Sequence, residues 1–245
     1  MKRTLRTIAE RWLVNSSRVH LRRVNAQFAD RVSAGMFVLD AGAGTAPYRD
    51  LFLHANYETA DFEKVDKEYA PSTYVCDLAS IPVEDGRFDF IVFNQVMEHL
   101  PDPLAVLTEL RRVLKPGGSI ICTCPLFYHE HETPYDFYRY TQFGHRYLFE
   151  RAGFEIDSLD WLEGWFGTVG YQLEGIFRNT PLSPSQFSSA LLYVFTAPLI
   201  FLVRVSSFLL AGLSYRLDIR FRYTGGGFPK NYVVIASRAS RETNG

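Results

Sequence analysis

The sequence has few cysteines, almost no net charge and no secretion signal. Its three cysteines, Cys76, Cys122 and Cys124, are too few and too poorly spaced for a disulfide framework or a four-ligand zinc site, and they suit a reducing compartment. A formal net charge of -1 gives no overall attraction to nucleic acid. The basic N-terminal stretch lacks the apolar run and cleavage site of a signal peptide. We therefore expect a cytoplasmic protein without a nucleic-acid substrate.

The alternation of short apolar runs with helix-length segments predicts an α/β fold. A chain of 245 residues with 47% hydrophobic content can build one large domain. From Phe37 onward the pattern is that of a parallel sheet with helices on both faces. Leucines at helical spacing predict a helix in PDPLAVLTELRRVLKPGG that ends at the glycine pair, and TQFGHRYLFERAGF predicts another. The predicted strands are 37–41, 57–61, 73–77, 88–94 and 119–124, followed by one in FEIDSLDWL and one in NYVVIASR.

One apolar segment, residues 189–215, is long enough to cross a bilayer. A single crossing would put the strand NYVVIASR on the wrong side of the membrane for the sheet. The sequence therefore favours two half-helices that bend near Pro198 and make a peripheral contact at the inner face of the membrane. Nearby arginines would reach the lipid head groups: Arg204, Arg216, Arg220 and Arg222. A buried helical hairpin or a dimer contact is the alternative, and the sequence indicates no oligomeric state.

These features divide the chain into four predicted regions. They are an N-terminal basic helical region at 1–35, a core at 36–165, an apolar helical insertion at 166–228, and the last strand with a C-terminal tail at 229–245.

The stretch VLDAGAGTAP, residues 38–47, predicts a ligand-binding loop. A strand that runs into Asp40 and two nearby glycines must turn sharply, and the glycines allow a ligand to approach the backbone. Pro47 stands where a dinucleotide-binding fingerprint has its third glycine. An acidic residue before the glycines also repels a pyrophosphate. A nicotinamide-dependent oxidoreductase is therefore disfavoured.

With these motifs, residues 37–124 resemble the class I S-adenosylmethionine-dependent methyltransferases, in particular the type 11-like group. The family's first loop reads D/E-x-G-x-G, and Ala46 replaces its usual third glycine here. The resemblance implies a Rossmann-like, seven-stranded, mostly parallel sheet with helices on both faces and an antiparallel final strand. The apolar helical insertion would precede that strand.

The resemblance also implies the cofactor, S-adenosylmethionine, and its contacts. Asp61 would bind the ribose hydroxyls, and Asp77 would read the adenine amino group. Asp40 would attract the amino end of the cofactor, and Asn94 would face its methionine end. The full implied set is Asp40, Ala41, Gly42, Gly44, Asp61, Phe62, Asp77, Leu78 and Asn94.

Beyond the fifth strand, CPLFYHEHETPYDFYRYT predicts the acceptor side. Its P-x-D-x-x-R-Y-T pattern resembles a loop in a subset of the family. The implied substrate-binding residues are Tyr135, Asp136, Arg139 and Tyr140, and the candidate catalytic residues are His129, His131, His99 and Tyr138. Simple packing and a loop-ordering pair of Arg139 with Asp136 stay open as alternatives. A cluster of His129, Glu130, His131, Glu132 and Asp136 has metal-ligating groups, but such loose loop clusters are usually solvated, so no metal is predicted.

Together these features predict direct transfer of a methyl group to a small-molecule acceptor. The apolar segment suggests a lipid-linked or membrane-embedded acceptor, such as a quinone, an isoprenoid-linked saccharide or a lipid. The alternative is a non-catalytic binding module that retains the fold at the membrane.

Overall fold

A computed structural model describes residues 11–240 of the protein. The first ten residues of the predicted region 1–35 and the last five of the predicted tail lie outside the described residues. Two compact units divide the chain. Among the described residues, one comprises 21–162 and 230–240, and the other comprises 11–20 and Glu163–Pro229.

The first unit holds a seven-stranded sheet within the described part of the chain, with the order β3-β2-β1-β4-β5-β7-β6. Its parallel strands pair from β3 through to β5, and β7 runs antiparallel between β5 and β6. This confirms the predicted Rossmann-like fold with its antiparallel last strand. The strands are β1 (Phe37–Ala41), β2 (Asn56–Asp61), β3 (Tyr74–Val75), β4 (Phe88–Asn94), β5 (Leu114–Pro125), β6 (Glu155–Trp161) and β7 (Asn231–Ser237).

Two predicted boundaries are wrong. The third strand, predicted at 73–77, is only two residues long. The fifth begins at Leu114 rather than at 119, because Leu114 pairs with Phe88 before a register shift brings Ser119 opposite Phe90. The glycines at 117 and 118 therefore lie in this irregular stretch of β5 and do not end the preceding helix, which stops at Val113.

Helices cover both faces of the sheet, as predicted. Adjacent residues of a strand point to opposite faces, so Val38 and Leu39 belong to different core clusters. Val38 packs in a cluster with Phe28, and Leu39 packs in one with Leu107 and Phe149. The helices that supply these residues are α1 (Ser16–Ala29), α2 (Pro103–Val113) and α3 (Gln142–Arg151). Short 3₁₀ turns lie at Arg49–Phe52, Met97–His99 and Pro184–Gln186.

The second unit contains a pair of closely packed helices, α4 (Trp165–Asn179) and α5 (Ala190–Phe221). A Cβ added at Gly170 would lie 2.8 Å from the ring of Tyr215, so the missing side chain allows the helices to approach. The Tyr215 hydroxyl donates a hydrogen bond to Glu174 at 2.6 Å. Helix α5 is continuous through Pro198. The two predicted half-helices are therefore wrong, because a proline removes only one backbone hydrogen bond and the leucine-rich flanks propagate the helix.

Candidate cofactor and acceptor site

A cavity opens at the carboxyl ends of β1, β2 and β4, the edge where open α/β sheets bind ligands. Seven residues predicted from the sequence lie in its wall: Gly42, Asp61, Phe62, Asp77, Leu78, His99 and Tyr135. The remaining wall residues were not predicted from the sequence: Lys64, Lys67, Gln95, Val96, Leu100, Pro101, Glu132 and Phe137.

The loop after β1 has the backbone that the motif predicts. Gly42 has a φ of 74°, and a Cβ there would lie 2.4 Å from Val96 Cγ2. Gly44 has a φ of 52°, but a Cβ there would meet no heavy atom within 4 Å. Ala46, at the family's third glycine place, also adopts a left-handed conformation, with a φ of 50°. Gly42 is thus required by the protein's own packing, whereas the open space at Gly44 leaves its backbone accessible to a ligand.

Two carboxylates and an aromatic ring in the wall offer hydrogen-bond acceptors and a flat apolar surface suited to adenosine. Asp61 is buried, and its Oδ2 accepts a hydrogen bond from Gly44 N at 2.9 Å. A carboxylate accepts several hydrogen bonds, so Asp61 retains capacity for a ribose diol. Phe62 lies beside it, edge-on to Tyr135 with ring centroids 5.5 Å apart. Asp77 also lines the cavity. These residues fit S-adenosylmethionine.

Asp40 lies outside the cavity wall. Only 4% of the residue is exposed, and its carboxylate accepts a hydrogen bond from the Tyr57 hydroxyl. Burial raises the pKa of Asp40 to about 7, and the nearby charge of Asp61 adds to this effect, whereas the hydrogen bond from Tyr57 opposes it. The predicted contact of Asp40 with the cofactor's amino end is therefore not supported by its position, and the neighbouring Ala41 is buried as well.

At the end of β4, Gln95 and not Asn94 lines the cavity. The Asn94 side chain donates to Asn25 at 2.8 Å and accepts from Thr123 at 2.9 Å. Gln95, with a φ of 56°, lies in the cavity wall instead. The prediction that Asn94 faces the cofactor does not match this geometry. No sequence signal distinguishes the two amides, because the left-handed conformation of Gln95 decides which of them lines the cavity.

A histidine and a buried glutamate follow Gln95 in the short turn after β4. His99 Nδ1 lies 2.5 Å from the Tyr135 carbonyl oxygen and therefore donates its proton there, which leaves a lone pair on Nε2. Burial lowers the pKa of His99. Glu98, which the sequence analysis missed, is fully buried, and its Oε2 accepts from the Cys124 thiol at 3.4 Å. Burial raises the pKa of Glu98 to about 7.

Arg139 orders the loop between β5 and α3. Its guanidinium donates to both carboxylate oxygens of Asp136, at 2.6 and 2.8 Å, and lowers the pKa of that carboxyl. It also donates to the carbonyl oxygens of Tyr128 and His129. Tyr140 is buried and donates to the Met97 carbonyl at 3.2 Å. These contacts match the loop-ordering and packing alternatives, and these side chains do not line the cavity.

The other candidate catalytic residues lie at different depths. His129 is exposed and stacks on Tyr128, with ring centroids 4.3 Å apart. The His131 ring lies outside the wall but packs 4.6 Å from the His99 ring. Tyr138 is 43% exposed, and its hydroxyl lies 3.3 Å from the Pro101 carbonyl. Among the predicted histidines, His99 is thus the one in the cavity wall.

A model of a methyltransferase domain family matches residues 17–174, which is more than half of the chain. The fold and the cavity place the protein in the Rossmann-like class. The chain belongs to this methyltransferase family, and S-adenosylmethionine is the cofactor expected of it.

Curated relatives match over short stretches. A demethylmenaquinone methyltransferase from Staphylococcus saprophyticus is 44% identical over 57 residues, which are 21% of this chain and 24% of that protein. A ubiquinone/menaquinone biosynthesis C-methyltransferase from Desulfotalea psychrophila is 33% identical over 98 residues, which are 35% of this chain and 39% of that protein. The matches therefore span well under half the length of these relatives.

Solved structures share the fold at low sequence identity. The cyclase SpnF superimposes with a TM-score of 0.54 at 18% identity, covering 90% of this chain and 82% of that chain. A phosphoethanolamine N-methyltransferase from Haemonchus contortus, solved with S-adenosyl-L-methionine, gives a TM-score of 0.52 at 18% identity, covering 93% and 53%. Since a cyclase and a methyltransferase both share it, the fold alone does not define the reaction.

Proposed function

We propose that the protein transfers the methyl group of S-adenosylmethionine to a small molecule that is lipid-linked or embedded in a membrane, with a quinone as the first candidate. The observation that carries this proposal is the cavity wall, where Asp61, Phe62 and Asp77 stand beside Gly42. The names of the quinone-methylating relatives support the choice of acceptor, and so does an exposed apolar helix in this chain.

Four residues form the proposed cofactor side of the site. Asp61 would accept hydrogen bonds from the ribose, Phe62 would lie against the adenine, and Asp77 would accept from the adenine amino group. Gly44 presents its backbone to the methionine part, where no side chain intervenes. When bound, S-adenosylmethionine supplies a methyl group that is already activated on a sulfonium. The protein's task is therefore alignment and exclusion of water.

The acceptor side of the cavity is mostly aromatic and apolar, and its polar groups include His99 and the ion pair of Lys67 with Glu132. Tyr135 and Phe137 come from the loop after β5, and Leu100 and Pro101 follow the turn that carries His99. This surface suits a planar, weakly polar acceptor. The Nε2 lone pair of His99 is the basic group on this wall, and it serves either to take the acceptor's proton or to bind a cation.

The first half of α5 provides the membrane contact. The helix is long and apolar enough to cross a bilayer, and only 11% of its most apolar window is buried. Leu191 is 69% exposed and Phe195 is 76% exposed, while Leu199 and Leu202 are exposed to a similar degree. Contiguous apolar surface of this extent marks an interaction site, and a lipid surface is the partner that suits a long apolar helix with most of its large side chains exposed.

The second half of α5 is held by protein. Ala211 and Tyr215 are fully buried, and the Trp12 indole donates to the Phe208 carbonyl at 3.0 Å. Arg204 donates to the Thr180 carbonyl at 2.9 Å, so it anchors the helix within its own unit. The mostly exposed stretch 190–203 is about 21 Å long, and in the second half only one face stays exposed, at Leu209, Leu210 and Leu213. Because β7 also returns to the sheet, we propose insertion into one leaflet rather than a crossing.

Labelled methyl transfer tests the activity. The purified protein is incubated with S-adenosylmethionine labelled in the methyl group and with a membrane lipid extract, and the labelled product is identified. Gly44→Leu places a side chain into the open space beside the loop, so it should weaken cofactor binding and transfer, and urea unfolding of the variant checks that the strained left-handed residue leaves the protein folded. Cofactor binding by the wild type without any labelled product would instead favour the non-catalytic binding module.

A flotation assay tests the membrane contact. The full chain is mixed with phosphatidylcholine vesicles containing phosphatidylglycerol, and the fraction that floats with the vesicles is measured. Replacing Leu191, Phe195 and Leu199 by serine should move the protein to the soluble fraction. In the control variant, serine replaces Leu53 and Phe143, two similarly exposed apolar residues of the other unit. This variant should still float with the vesicles. Equal flotation of both variants would refute the contact.

A further inference from the structure

Three side chains with free lone pairs converge beside the cavity: Glu98, His99 and His131. One ligand atom from each of them lies within 4.8 Å of the other two. None of the three belongs to the cofactor half of the site. The sequence pattern grouped His131 with its loop neighbours as possible metal ligands, whereas the structure brings it to Glu98 and His99 of the turn after β4.

The buried carboxylate has an atom without a partner. Glu98 Oε2 accepts from the Cys124 thiol, but Glu98 Oε1 is buried and has no hydrogen-bond partner among the described residues. A buried carboxylate oxygen left unpaired is costly, and such groups call for a specific explanation. The nearest imidazole nitrogen, His99 Nε2, lies 3.8 Å from Glu98 Oε1. That separation is too long for a hydrogen bond.

Both histidines are oriented with their other nitrogen against a backbone carbonyl. His99 Nδ1 lies 2.5 Å from the Tyr135 carbonyl oxygen, and His131 Nδ1 lies 3.2 Å from the His129 carbonyl oxygen. Asp136 Oδ2 is also 3.3 Å from His131 Nδ1. Protein metal sites orient their histidines in this way, because the outer hydrogen bond fixes the tautomer and leaves Nε2 as the ligand.

We propose that Glu98, His99 and His131 bind a divalent first-row transition metal, with Zn²⁺ and Co²⁺ as the best-suited ions. Two imidazoles and one carboxylate are a ligand set for such ions. Tetrahedral ligands at about 2.1 Å from the ion stand about 3.4 Å apart, close to the 3.8 Å between His99 and Glu98. The ion satisfies the unpaired oxygen of Glu98 and ties the loop of His131 to the end of β4.

Three protein ligands leave at least one coordination position for water or for an acceptor oxygen. His99 lies in the cavity wall, so that position borders the acceptor side. The acceptor role rests on the proposed function, whereas the binding of the ion does not. A test of metal binding alone therefore distinguishes failure of the metal site from failure of the proposed function.

Co²⁺ is the probe, because its visible absorption reports its coordination. The full chain is treated with a chelator, freed of it and titrated with Co²⁺, and Zn²⁺ affinity is measured by competition. We expect one equivalent of Co²⁺ with a visible band. Glu98→Gln, His99→Ala and His131→Ala should each weaken binding at least about tenfold, since each removes one of three ligands.

The matched control is His129→Ala, which removes an exposed imidazole two residues from His131 and should keep the wild-type affinity and spectrum. Thermal stabilisation by S-adenosylhomocysteine checks that each variant retains its fold. The absence of a Co²⁺ band in the wild type would overturn the proposal. A band that survives Glu98→Gln and His131→Ala would do the same. If the wild-type protein binds Co²⁺ but transfers no methyl group, only the proposed function is refuted.

Discussion

The buried carboxyl of Asp40 should make the protein less stable as the pH rises. Its pKa is about 7 in the folded protein and 3.8 in the unfolded chain. Between these values the folded state keeps a proton that the unfolded state releases, so the free energy of unfolding falls with increasing pH. A difference of about three pKa units corresponds to about 4 kcal/mol, and the full loss is reached once the pH exceeds about 7.

Asp40→Asn isolates this effect, because asparagine is neutral in both states. Urea unfolding of the wild type and the variant is measured from pH 4.5 to 8.5. The amide leaves donors to be satisfied, which shifts the whole curve by a constant amount. As the pH rises, the free energy of unfolding of the wild type should therefore fall relative to that of the variant, by up to about 4 kcal/mol.

Tyr57→Phe provides a second check on the same group. It removes the hydrogen bond that opposes the rise in the pKa of Asp40, so the pH-dependent loss should move to higher pH. If the free energies of wild type and Asp40→Asn run parallel across the whole range, the carboxyl is not a source of the pH dependence and the reasoning fails.

Two further predictions concern packing and loop order. Gly170→Ala should destabilise the protein by about 1–3 kcal/mol, because its Cβ would collide with the ring of Tyr215. Gly175→Ala lies in the same helix, and its Cβ would meet no atom within 4 Å, so it should stabilise the protein by about 1 kcal/mol. Thermal unfolding of both compares them, and equal shifts would contradict the close packing. Arg139→Ala should lower stability by about 2 kcal/mol and speed proteolysis between β5 and α3, because it leaves the nearly buried Asp136 without its partner. Unchanged cleavage in limited proteolysis would disprove this role.

The fold was accessible from the sequence because hydrophobic periodicity and turn residues are local signals. The bounds of β1 and β4 are those predicted, 37–41 and 88–94. The errors arose where tertiary contacts override local pattern. β5 extends back to Leu114 because it finds a partner in β4, and α5 passes through Pro198 because the helix tolerates one missing hydrogen bond.

The glycine loop after β1 and the acidic residues Asp61 and Asp77 at the cavity were predictable from the sequence, because glycine spacing and acids that follow strands are local features of a βαβ unit. Which side chains line the cavity depends on the tertiary structure. A single left-handed residue exchanges Asn94 for Gln95, and a hydrogen bond from Tyr57 fixes Asp40 away from the cavity wall. The meeting of Glu98 with His131 depends on the loop after β5 folding back, a long-range contact that no local pattern encodes.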